Sequence, residues 1–218
     1  MPVASTNKEM QTPTSSKTGG RLKIALWAVM GAMATSVILY SEVPLLNKAE
    51  ELTYLRTIPM LIIPHILGGV VALLSGPLQF SNRFRLRNPK FHRMLGRVYV
   101  GSVLIAAPLA MVLSGYRHDP RAVYFGAATT IQAGVWMITT AAAFLTARNR
   151  HFQQHREWMV RSYAVTFTFV GTRVLQPFPA WNRHSEALFA IEIILITFMA
   201  ILSPDIALHW REITTRRV

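Results

Sequence analysis

The sequence predicts an all-α, polytopic membrane protein with six transmembrane helices, and three observations carry that prediction. Six apolar stretches approach the length of about 20 residues that a helix needs to cross a bilayer. Of the 23 Lys and Arg residues, 17 fall on one side of the alternation that six spans impose and 6 on the other. Hydrophobic residues make up 51% of the chain and charged residues 15%, too little polar surface to solvate a globule of this size. In lipid every backbone polar group must be satisfied within its own segment, so the spans are helices.

The first 20 residues, rich in Ser, Thr, Pro and Gly, read as a disordered cytoplasmic tail. The six-helix domain is expected over residues 21–212, followed by a short cytoplasmic tail, 213–218. The first span runs from Ile24 to Tyr40. Ala32-Met33-Ala34 inside it resembles a cleavage site, but the polar leader is long and five more spans follow, so the helix is expected to stay uncleaved. The segment Ser41 to Thr57 mixes acids with Leu45, Leu46, Leu52 and Leu55, the pattern of a short interfacial helix. The second span, Ile58 to Phe80, opens at Thr57 and Pro59 and carries His65 roughly 10 Å deep at 1.5 Å per residue. Pro64 is expected to kink it.

Asn88-Pro89 reads as N-cap and first helical residue of the third helix, whose apolar part is Met94 to Gly115. That start puts His92 in the first turn. Asp119-Pro120 does the same for the fourth span, Ala122 to Ala147, and leaves His118 just outside it. The fifth span, Met159 to Gln176, is preceded by His151 and His155, which are i,i+4 neighbours. The sixth runs from Ala187 to Leu202, with His184 before it and His209 beyond it. Basic residues concentrated around Arg83 to Arg97 and Arg148 to Arg161 place those loops and both termini in the cytoplasm.

The net charge of +13 is therefore topology rather than a signal for nucleic acid. With no cysteine there is no disulfide, iron–sulfur cluster or thiolate ligand, so a metal site would have to use histidine, carboxylate, methionine or a porphyrin. Bis-histidine haem needs two imidazoles on facing helices and small residues that let the macrocycle approach the backbone. Gly68, Gly69, Gly76 and Gly96 offer such room, and His92 and Gly96 share a helix face. The plainer alternative stays open, because glycines also pack membrane helices and buried histidines also bond neighbouring helices.

The histidine pattern resembles the cytochrome b561 family, whose six helices enclose a four-helix core with haems between core helices one and three and between two and four. The resemblance implies a core formed by the second to fifth helices, haem b as cofactor, and electron transfer from a cytoplasmic donor. Carried over by position, His92 and His155 match the inner ligand pair and His65 one outer ligand; His118 departs from the pattern by lying outside its helix. A closer resemblance covers the second to fifth helices. The runs HILGGVVALLSGPLQF (His65 to Phe80), HRMLGRVYV (His92 to Val100) and HREWMVRSYA (His155 to Ala164), with Arg173, are similar to the blocks of an uncharacterised bacterial multipass membrane family, domain of unknown function 2306. That resemblance implies the bacterial inner membrane and supplies no activity.

Intramembrane charges require partners. Arg173 and Glu192 lie at matching depth on the fifth and sixth helices, which predicts a buried ion pair acting as an interhelical clamp. Arg93, Arg97, Arg156 and Arg161 crowd the cytoplasmic ends beside His92 and His155. They are expected to form an anion subsite for haem propionates, an acidic redox donor or a quinone headgroup, or else simply to face anionic lipid. A haem-free protein, either a subunit of a larger membrane complex or homo-oligomer or a small-solute carrier, is the alternative. Ser114, Ser162, Thr166 and Thr172 are expected to bond back to their own helices.

Overall fold

Prolines and small polar residues set the helix starts. The computed structural model describes residues 17–44, 59–115, 122–175 and 185–215, and within them the chain forms seven helices and no strand. Helix α1 (Lys17–Val37) runs on through a π-helical turn, Ile38–Glu42. Helix α2 (Pro59–Gln79) continues through Pro64 and Pro77. A short helix, α3 (Asn82–Arg87), follows, capped by the Ser81 hydroxyl, which accepts from the Phe84 amide at 3.2 Å. Pro89 then opens α4 (Pro89–Gly115) as expected, with the Asn88 carbonyl accepting from the His92 amide at 3.0 Å.

Helix α5 (Ala122–Arg148) ends in a Schellman turn. The His151 amide donates to Thr146 O at 2.9 Å and the Arg150 amide to Ala147 O at 3.1 Å, with Arg150 in the left-handed region at φ 63°. Helix α6 (Phe152–Leu175) begins at once, its first bond running from the His155 amide to His151 O at 2.9 Å. Ser185 caps α7 (Glu186–Thr214), accepting from the Leu188 amide on its hydroxyl.

Helices α2, α4, α5 and α6 form a closed ring, each packed on the next, with α4 and α6 facing each other across one diagonal. Helix α7 fills the groove between α5 and α6, and α1 leans on α6. Ala72, Tyr99, Val103, Ala107, Ala133 and Ala143 fill the ring's centre and are almost wholly shielded. Leu67, Leu74, Ile131, Ile138, Leu195 and Phe198 are exposed on its outside, where a bilayer would meet them.

Four helices are long and apolar enough to cross a membrane on composition alone: α2, α4, α5 and α7. Helix α6 is 24 residues long, about 36 Å at 1.5 Å per residue, but it spends its inner face on Ser162, Thr166, Thr168 and Thr172. The apolar part of α1 is shorter, Trp27–Ser41. The expected interfacial helix before Thr57 and the terminal tails lie almost wholly outside the described residues.

Two of the glycines expected to make room for a macrocycle are already filled by protein. A Cβ on Gly68 would stand 3.0 Å from Ser102 O and 3.1 Å from Ala106 Cβ, so this glycine lets α2 and α4 touch. A Cβ on Gly76 would overlap the Tyr163 ring. That ring is buried and its hydroxyl donates to Leu73 O at 3.1 Å, which fixes it in place. Gly69 is open, and beside Gly96 stands only the Gln79 amide, 3.6 Å from the Cβ position.

Candidate functional site at the basic end of the core

A buried hydroxyl network ties the middle of the ring together. The Tyr99 hydroxyl on α4 crosses the diagonal to Ser162 Oγ at 2.8 Å and Thr166 Oγ1 at 2.9 Å on α6. Thr140 Oγ1 on α5 meets Ser162 Oγ at 2.7 Å, and the Trp136 indole donates to Thr166 Oγ1 at 2.8 Å. Every polar atom of this cluster has a partner, the condition for a buried network to fix one packing. Thr166 also bonds back to Ser162 O, as the sequence suggests, but its contacts across the bundle were not read from sequence. The available signal was a tyrosine and several hydroxyls at mid-span in helices that face one another.

The network places the histidines. Helices α4 and α6 run parallel, since both start at the basic end, and Tyr99 and Ser162 touch across their diagonal. His92 precedes Tyr99 by seven residues and His155 precedes Ser162 by seven. Seven residues turn a helix by roughly 700°, or 20° short of two full turns. Both histidines therefore sit two turns below the same contact, at equal depth and on the facing sides.

The two imidazoles differ in their hydrogen bonding. His155 Nδ1 lies 2.8 Å from Ala143 O. A carbonyl only accepts, so Nδ1 carries the proton and Nε2 of the neutral ring keeps its lone pair. His92 Nδ1 is buried without a hydrogen-bond partner among the described residues. Gln79 at the end of α2 donates to the backbone carbonyl of His92 at 3.3 Å, which pins that first turn of α4.

His65 is placed differently. Its Nδ1 donates to Ala106 O on α4 at 2.9 Å, a helix-to-helix bond. Helix α5, across the ring from α2, carries no histidine within its described range, Ala122–Arg148. His118 and His184 lie outside the described residues. His151 is exposed, and His209 bonds the backbone of Asp205 on its own helix at 3.1 Å. Among the described residues no three His, Asp or Glu side chains converge on a metal-sized site.

The arginines depart from expectation. Arg93 and Arg97 are exposed on the outward face of α4, an i,i+4 pair turned away from the histidine diagonal. Arg156 is exposed as well. Arg161 is committed to an ion pair, with its Nε 2.7 Å and its Nη2 2.5 Å from Asp205 Oδ1 on α7. Its guanidinium also lies 4.8 Å over the Trp158 ring, and Glu157 is 3.9 Å away. The anion subsite around the imidazoles is therefore not assembled, because one of its members is neutralised and the others point outward.

The expected Arg173–Glu192 pair does not form either. Both Glu192 oxygens are buried without a hydrogen-bond partner among the described residues, and the Arg173 guanidinium lies 5.5 Å over the Phe169 ring of its own helix. Helical phase explains the miss. Arg173 follows Arg161 by roughly three and a third turns, so it leaves α6 about 120° away from the face that meets α7. Gly171, whose Cβ position is 3.8 Å from Ile196, faces α7 instead.

A family model described as a predicted membrane protein, DUF2306, matches residues 62–203, well over half of the chain and all four helices of the ring. No curated protein and no solved structure matches.

Proposed function

The chain belongs to the DUF2306 family of predicted membrane proteins, and from that footing we propose that it is a membrane electron carrier that holds one haem b between His92 and His155, with the basic end in the cytoplasm. The observation that carries this reading is the pair of imidazoles at equal depth on parallel, diagonally opposed helices, two turns below the Tyr99–Ser162 bond. The chemistry of the two imidazoles supports this reading. His155 Nε2 keeps its lone pair because Nδ1 is bonded to Ala143 O, the arrangement that orients a ligating histidine. His92 contributes a half-buried ring whose Nδ1 is shielded and has no hydrogen-bond partner among the described residues.

Haem, when bound, supplies a one-electron ferric/ferrous couple. The chain's own part is to orient and to shield. Gln79 and Ala143 hold the two histidine-bearing turns, and the Tyr99 network fixes the spacing of α4 and α6 above them. Met159, buried in the core with Trp158 packed against it, would help to keep water from a group held there. No second haem is proposed on His65.

The test is a reduced-minus-oxidised spectrum of the purified protein after haem supplementation. A b-type α band is expected, retained in His65→Ala and lost in His92→Ala and in His155→Ala. A well-folded, colourless wild-type sample would end the electron-transfer reading and leave a haem-free subunit or carrier.

A further inference from the structure

The hairpin formed by α2, α3 and α4 cannot balance its own charge. From Glu51 to Asp119 the sequence has no acidic residue, yet Arg83, Arg85, Arg87, Lys90, Arg93 and Arg97 fall between them. All six are exposed. None reaches a carboxylate among the described residues, where the ion pairs are those of Arg161 with Asp205 and Glu157. Arg85 has only the Asn82 amide oxygen, at 3.1 Å.

A cleft lies within this basic surface. It is shallow and open to solvent, with about 510 Å³ of accessible space, and is lined by Ser81, Arg83, Phe84, Arg87 and Asn88. Arg83 and Arg87 are i,i+4 on α3, so both guanidinium forks reach one side of the short helix. Apolar surface flanks it: Phe91 packs edge-on to Phe84 with centroids 5.5 Å apart and is 45% exposed, and Leu86 is 79% exposed. Exposed apolar residues beside uncompensated arginines, in a segment joining two membrane-crossing helices, belong at the headgroup boundary.

We propose that the α3 cleft binds the phosphate of an anionic phospholipid, with Arg83 and Arg87 taking the phosphate oxygens and an acyl chain lying along Phe91. Guanidinium forks match phosphate oxygens two at a time. The charge of the cleft selects the lipid class. No carboxylate lines it, so the ammonium of a zwitterionic headgroup finds no partner there, whereas a phosphatidylglycerol headgroup brings only the anion. Arg93 and Arg97, farther along the outward face of α4, extend the same attraction along the leaflet surface.

Native mass spectrometry of the full chain, released from detergent containing equal amounts of phosphatidylglycerol and phosphatidylcholine with identical acyl chains, tests this. Retention of phosphatidylglycerol over phosphatidylcholine is expected. At about 1 kcal/mol for each basic residue, R83Q/R87Q should weaken that retention about thirtyfold. R148Q/R150Q, on the other basic loop, should leave it unchanged. Millimolar inorganic phosphate should not displace the lipid; displacement would make a free anion the ligand and overturn the lipid assignment. Equal retention of the two lipids, or full retention by R83Q/R87Q, would also overturn it. If that variant is not recovered folded, R83K/R87K keeps the charge but removes the forks, and unweakened binding there would count equally against the proposal.

Discussion

The two ends of the α6–α7 interface solve the same problem in opposite ways. At the basic end, Arg161 reaches across to Asp205 with two nitrogens and stacks on Trp158, so its charge is met from three directions. At the far end, Glu192 is only 6% exposed and neither oxygen has a hydrogen-bond partner among the described residues. Depth is matched at both ends; azimuth is matched at only one. Counting back from Asp205 to Glu192 turns α7 by about 140° from a whole number of turns, while α6 turns by about 120° between its two arginines. An ion pair between packed helices thus needs both phases to agree, and a shared level in the membrane is not enough.

The largest expected effect comes from breaking the end that works. Asp205→Ala leaves the Arg161 guanidinium, whose side chain is 13% exposed, without its main partner. Removing one member of a buried pair costs about 3–5 kcal/mol. The Asp205 side chain is 41% exposed, so water recovers part of this and a loss of about 2 kcal/mol is expected. Reversible unfolding in mixed micelles measures it. The paired replacement Arg161→Leu with Asp205→Leu should fall much closer to wild type, since an apolar pair can stand in for a buried ion pair. If the double variant loses as much as Asp205→Ala, the clamp is not acting as a pair.

The opposite sign is expected at the far end. A buried carboxyl without a partner costs about 1–3 kcal/mol in desolvation. Glu192→Leu, of similar volume, should therefore raise stability by about 1 kcal/mol in the same unfolding experiment. Ala190 and Ile193 beside it already pack against Ala128 on α5, so an apolar side chain meets apolar neighbours. A loss of stability in Glu192→Leu would mean that the carboxyl has a partner that stabilises it, and the contrast between the two ends would disappear.

Axial position was legible in the sequence; rotation was not. Asn88-Pro89 and His151 mark helix starts in the sequence, and α4 and α6 begin there, which puts His92 and His155 in the first turns of their helices. The ring of the second to fifth spans was likewise legible through the resemblance to known families. The same counting matched Arg173 to Glu192 and failed, because nothing in a single helix says which way it is turned in the bundle. Asp205 was missed for a different reason. The sixth span was ended at Leu202 on hydropathy, whereas α7 runs through Pro204 to Thr214 and so carries Asp205 on a helix face. Helix α3 leaves no mark in the sequence, since six residues are too few for a hydrophobic period to register. Gly76 shows the limit from the packing side, because an open glycine and one filled by a tyrosine from another helix look alike in sequence.

The smallest predicted effect sharpens the comparison by testing what sets the phase of α6. Arg150 holds the left-handed position of the Schellman turn, φ 63°, where glycine would be unstrained. The two closing bonds, from the His151 and Arg150 amides to Thr146 O and Ala147 O, do not involve its side chain. Arg150→Gly should therefore keep the turn and gain about 0.5–1 kcal/mol, offset in part by the greater freedom of glycine in the unfolded chain. Because the turn fixes where α6 begins, an unchanged turn leaves Arg161 facing Asp205, and the loss caused by Asp205→Ala should be the same in the Arg150→Gly background. If the two changes prove strongly non-additive, the turn itself is part of what aims Arg161 across the interface, and the pairing at the basic end owes as much to the α5–α6 connection as to helix phase.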